Sequence, residues 1–131
     1  MLRRAAAAMD HALNDALKPW SLTATQYNVL RILRGAGSNG LCGREVGERM
    51  IARVPDVPRM LERMAEAGLI GREQDPDDRR HTTARITPKG LRLLDELEPT
   101  ISALHRRAVR GVDRAQLRAL VGVLEAVRGS L

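Results

Sequence analysis

Residues 53–90 read RVPDVPRMLERMAEAGLIGREQDPDDRRHTTARITPKG, and the change of period inside this stretch decides the fold. Val54, Val57, Leu61, Met64 and Gly68 recur at steps of three and four, which is one face of a helix. At about 100° per residue, Pro55, Arg59, Glu62, Arg63 and Glu66 fall on the opposite side, so Arg59 points away from whatever the apolar face packs on. The helix is expected to begin near Pro55 and to stop at Gly68, with Leu69-Ile70 folding back over its end. The pattern then switches. Leu69–Gln74 and His81–Ile86 are short and carry the β-branched Ile70, Thr82, Thr83 and Ile86. Together they predict a hairpin with DPDDRR at its tip. Asp75 and Asp77, with Pro76 between them, are turn formers, because an aspartate accepts hydrogen bonds from the backbone two residues on. A calcium loop would need an oxygen donor where Arg79 stands and a late Glu, so no metal is expected.

Working outward, Thr87-Pro88 supplies an N-cap and a first-turn proline for a long helix. Its stripe is Leu91, Leu94, Leu97, Ile101, Leu104, Ala108 and Val112, and Pro99 is expected to bend or interrupt it. Asp113-Arg114-Ala115-Gln116 caps a last helix carrying Leu117, Leu120, Val121, Leu124 and Val127. Upstream, Leu2, Ala5, Met9, Leu13 and Leu17 predict a helix over 2–17, ended by Pro19. Thr23–Gln26 is a capping box for a second helix, which stops in GAGSNG. After the apolar pair Leu41-Cys42, a short third helix runs from about Gly43 to Met50, with Glu45 near its start and Val46 and Met50 facing inward.

At 131 residues and 44% apolar, the chain can build one modest core, and a single domain is expected. With no Phe, one Trp and one Tyr, that core is assembled from Leu, Val, Ile, Met and Ala, which favours helical packing. The charge is +6, carried by 20 Arg against Lys18 and Lys89. Such a balance fits a polyanion or an acidic membrane surface, and equally a solvated surface with no partner. The lone Cys42 excludes an internal disulfide and fits a reducing compartment. The N-terminus lacks a signal-peptide core and no apolar run approaches a membrane span, so a cytoplasmic protein without a membrane partner is expected. His11, His81 and His105 have no metal-ligand spacing with one another or with Cys42. No nucleophile, base and orienting acid can be assembled either, so neither an enzyme nor a cofactor is expected.

Two short helices in tight sequence, the second exposing arginines and followed by a hairpin with a basic tip, follow the plan of a winged helix-turn-helix. The segments LTATQYNVL, REVGERM, RMLERMAEAGLIGRE and DPDDRRHTTARITPKG resemble the successive signatures of the MarR (multiple antibiotic resistance regulator) family across residues 20–98. The most specific part is the hairpin motif, filled by Asp78, Arg80, Ile86, Thr87 and Gly90. The resemblance implies a mainly helical domain with a small β-hairpin, in which residues 20–87 form a winged helix-turn-helix lobe. Residues 1–18 and 88–131 would be dimerisation helices of a homodimer on a palindromic operator in double-stranded DNA, most simply as a repressor. The apolar stripe over residues 88–127 exceeds what one such chain easily covers, as a two-fold dimer would explain.

By the same resemblance Arg80 enters the minor groove while Asp78 holds its guanidinium extended. On spacing alone the tip is a solvated loop. The expected DNA-facing set is Arg53, Asp56, Arg59, Arg63, Asp78, Arg79, Arg80 and His81. Pro58 departs from the pattern, since the resemblance places a DNA-contacting Thr there. Base readout at that point is lost or altered, which leaves open a partner-binding dimer that keeps the fold without operator binding. Cys42 stands where a capping Ser or Thr commonly occurs. A small aromatic or anionic effector would occupy a crevice between the dimerisation helices and the lobe, where the chain offers His11, Trp20 and Tyr27. The plainer reading is that Trp20 and Tyr27 pack the junction of the first two helices.

Overall fold

The computed structural model describes residues 1–131 and contains six helices and a three-stranded antiparallel sheet. The helices are α1 (Leu2–Leu17), α2 (Ala24–Ala36), α3 (Gly43–Arg49), α4 (Val57–Glu66), α5 (Pro88–Ala108) and α6 (Arg114–Ser130). The strands are β1 (Leu41–Cys42), β2 (Ile70–Gln74) and β3 (Thr82–Ile86), in the order β1-β3-β2.

Side chains set most of the boundaries. The Thr23 hydroxyl accepts from the Gln26 N–H at 3.1 Å while the Gln26 side chain accepts from the Thr23 N–H at 3.1 Å. Asp113 and Gln116 repeat the exchange at 2.8 and 3.0 Å. Before α3, Glu45 accepts from the Cys42 N–H at 3.1 Å. The Cys42 thiol and then its backbone N–H hold the Glu45 carboxyl below its ordinary pKa.

One expectation needs correction and two need refinement. First, α4 starts at Val57, not near Pro55. The Asp56 carboxylate accepts from the Arg59 N–H at 3.1 Å, and its φ of −140° is not helical. Asp56 is therefore the cap, and Pro58 sits at the second helical position, where its missing N–H costs no helical bond. Second, the hairpin is part of a three-stranded sheet, because Leu41 pairs with Ala84 and Cys42 with Thr83. Third, α5 runs through Pro99 without interruption.

The core consists of 16 buried residues from α1 to α5 and the sheet, among them Leu17, Leu30, Leu33, Val46, Leu61, Met64, Ile70, Leu94 and Leu97. None comes from α6, whose 17 residues include no buried one. Leu120, Val121, Val123, Leu124 and Val127 stand exposed along it. Of α1, only Leu17 is buried, and the helix packs on α5. No helix is long and apolar enough to cross a membrane.

One joint fixes the lobe to α5. The Thr87 hydroxyl donates to the Gly68 carbonyl at 2.7 Å and accepts from the Gly90 N–H at 3.1 Å. The Thr87 N–H donates to the Leu69 carbonyl at 3.1 Å, and Lys89 Nζ reaches the Ala67 carbonyl at 2.7 Å. The end of α4 and the start of α5 thus satisfy each other's orphan groups. Gly90 is required there, since a Cβ would strike the Leu69 carbonyl and the Ile86 side chain.

Candidate nucleic-acid interface

A groove of 570 Å³ opens between α3, α4 and the β2–β3 hairpin. Arg44, Arg72, Arg80 and His81 line it, and Gly47, Val57 and Pro58 form a stretch of its wall without polar side chains. Its cations come from three separate elements: α3 gives Arg44, β2 gives Arg72 and the hairpin tip gives Arg80. No carboxylate lines it. A positive, open cleft of this kind suits a polyanion.

The tip is a built turn. The Asp75 carboxylate accepts from the Asp77 N–H at 2.9 Å. The Asp75 N–H donates to the His81 carbonyl at 2.8 Å, closing the loop. Gln74 Nε2 donates to the Arg79 carbonyl at 2.6 Å. Asp78 Oδ1 accepts from the Arg80 N–H at 3.0 Å and lies 3.5 Å from Arg80 Nε. The Arg80 side chain is nonetheless 94% exposed. One carboxylate therefore steadies the base of the guanidinium arm while the arm itself stays in water. At the stem, Arg85 Nη1 meets Glu73 Oε2 at 2.8 Å, and Arg85 Nε donates to the Ser38 carbonyl at 2.8 Å. This clamp ties the hairpin to the loop after α2.

The expected set divides. Arg80 and His81 line the groove, with Asp78 and Arg79 beside them on the exposed tip. Arg59 is exposed on the first turn of α4, and Arg53 is exposed in the turn before it. Asp56 is engaged as the cap. Arg63, one turn beyond Arg59, lines a different cavity of 390 Å³ with Trp20, Lys89 and Arg92. Arg44 and Arg72 were missed, because each becomes a groove residue only when α3 and β2 are placed against α4.

His11, Trp20 and Tyr27 do not converge. His11 is exposed and sits 3.3 Å from Asp15. The Asp15 carboxyl is held below its ordinary pKa, first by a hydrogen bond from Lys18 and then by the charges of His11 and Lys18. Trp20 borders the 390 Å³ cavity, whereas Tyr27 lines another of 270 Å³ with Asp10, Arg31 and His105. The 3-10 turn at Lys18–Trp20 and the left-handed Ser21, at φ 53°, separate them by turning the chain between α1 and α2. Tyr27 belongs to the core, and Trp20 packs against it.

Comparison with known proteins agrees with this architecture. The chain is 31% identical over 111 residues to the HTH-type transcriptional repressor IacR of Pseudomonas putida, covering 85% of this chain and 65% of that relative. It therefore spans slightly less than two thirds of that relative's length. The solved structure of Bordetella bronchiseptica BpsR, described with regulation of its DNA binding by 6-hydroxynicotinic acid, is 27% identical. It superposes with a TM-score of 0.87 over 97% of this chain and 95% of that one. A mutant E. coli MarR complexed with operator DNA shares the fold, at 23% identity and a TM-score of 0.84, over 96% of this chain and 89% of that one. Residues 22–82, most of the winged-helix lobe, match the MarR family model, so this segment of the chain is a MarR-family domain.

Proposed function

We propose that this protein is a homodimeric, sequence-specific DNA-binding regulator, acting as a repressor on a palindromic operator and released by a small ligand. One observation carries the reading: three elements bring Arg44, Arg72 and Arg80 to a single open groove beside the exposed first turn of α4. In this reading α4 enters the major groove with Arg59 at its front. Arg80 reaches the adjacent minor groove, with Arg53, Arg79 and His81 near the backbone. Arg63 contributes at most to phosphates.

The dimer reading rests on α6, whose exposed apolar row has no partner within the chain. Residues 1–18 and 88–131 form its interface, and residues 20–87 form the reading lobe. The ligand reading rests on the cavity beside Trp20, where Arg63, Lys89 and Arg92 outnumber the one carboxylate, Glu96, and would hold an anionic aromatic acid. Release by such a ligand requires stronger binding to the DNA-incompetent arrangement, and tenfold release needs about 1.4 kcal/mol of difference.

The test is a mobility-shift assay on the DNA upstream of its own gene, challenged with nonspecific competitor. A competitor-resistant shift is expected. Its absence would favour a partner-binding dimer that has kept the fold, a reading supported by Pro58, which offers DNA no hydrogen bond. Benzoate is expected to quench Trp20 fluorescence and weaken the shift over one concentration range.

A further inference from the structure

Val57 and Pro58, which form part of the groove wall, are not among the residues assigned above to phosphate or minor-groove contacts. Both residues lie in the first turn of α4, the part of a reading helix that meets base edges. Val57 is half-buried and Pro58 exposed. Proline has neither a side-chain donor nor a backbone N–H. Asp56, just before them, gives one carboxylate oxygen to the Arg59 N–H at 3.1 Å and does not line the groove. Gly47, across the groove on α3, adds no side chain. A base facing this wall finds only carbon, between arginines.

Among the four bases one carries carbon on its major-groove edge, the C5-methyl of thymine. All four bases would lose hydrogen bonding to water along such a wall, thymine at its O4 included, but only thymine gains an apolar contact in return. We infer that Pro58 is a specificity-determining residue that selects thymine by contact with its methyl group, in place of a hydrogen bond from a polar side chain. The inference rests on the reading of α4 as the DNA-reading helix and adds the base that it selects.

Removing one methyl from a closed apolar contact weakens binding about fourfold, and removing two, one per half-site, about fifteenfold. The test uses the full chain and a duplex selected by it from a random pool. Each thymine is replaced in turn by deoxyuridine, which deletes the methyl and keeps every hydrogen-bonding group. One thymine per half-site should show the fourfold loss. Pro58→Ser, checked for an unchanged thermal midpoint, should bind the thymine and uracil versions of that site equally. Because uracil also alters duplex stiffness, this variant separates a lost contact from altered DNA shape. Tight binding with no uracil-sensitive position would overturn the inference and leave the DNA-binding reading standing, as would a uracil penalty that persists in Pro58→Ser. Failure to enrich any duplex would overturn both.

Discussion

Replacing Thr87 by Ala should weaken the whole lobe, since one hydroxyl serves two helices. As the N-cap of α5 it accepts from the Gly90 N–H at 3.1 Å, and as a donor it satisfies the Gly68 carbonyl at the end of α4 at 2.7 Å. Loss of the cap costs about 1 kcal/mol. Stranding the half-buried Gly68 carbonyl costs about 1 kcal/mol more. With an unfolding entropy proportional to the 131 residues, about 2 kcal/mol lowers the thermal midpoint by about 7 °C. The measurement is urea unfolding followed by circular dichroism at one fixed protein concentration, because a dimer's midpoint depends on concentration. The midpoint should fall by about 1 M with the slope unchanged. Thr87→Ser keeps the hydroxyl and should recover most of the loss. A loss under about 0.5 kcal/mol for Thr87→Ala, or equal losses for Ser and Ala, would refute the dual role of the hydroxyl.

Sedimentation at micromolar concentration should give a dimer; a monomer would contradict a mate for the exposed row on α6, and a chain ending before Asp113 should aggregate. Arg80→Ala should weaken operator binding by about 1 to 3 kcal/mol without moving the thermal midpoint, as its side chain is 94% exposed. Asp78→Ala should weaken binding as well, although it removes a negative charge near DNA, and tighter binding in gel shifts would show that Asp78 merely repels. The folded-state carboxyls of Asp15 and Glu45 both titrate below their ordinary values. The stability they add is therefore complete above about pH 4.5 and disappears as pH falls through the lowered values. The double variant Asp15→Asn, Glu45→Gln should lose less stability between neutral pH and pH 3 than the parent does.

Elements with local signals were legible in the sequence. The capping boxes at Thr23 and Asp113, the stop at Gly68 and the hairpin turn at Asp75–His81 all rest on contacts within a few residues, which spacing alone reveals. The start of α4 was misplaced because Val54 continues the apolar period, while the Asp56 carboxylate decides the boundary. Strand β1 has two residues, too few to show alternation, and exists only because β3 lies beside it. The candidate site divides in the same way. Arg80 and Asp78 are two residues apart and were found together. Arg44 and Arg72 meet them only across the fold, and Trp20 and Tyr27 were grouped by type when the turn at Ser21 sends them to different cavities.

The joint at Thr87 and Lys89 welds the lobe to the first turn of α5, so the 21-residue helix acts as a lever arm about 30 Å long. A tilt of about 10° where its far end meets a partner would swing α4 by roughly 5 Å, more than the rise of one base pair. In a dimer, two such arms set the distance between the reading helices. Small adjustments at the apolar seam would thereby decide whether both lobes can engage half-sites one helical turn apart, with no deformation inside either lobe.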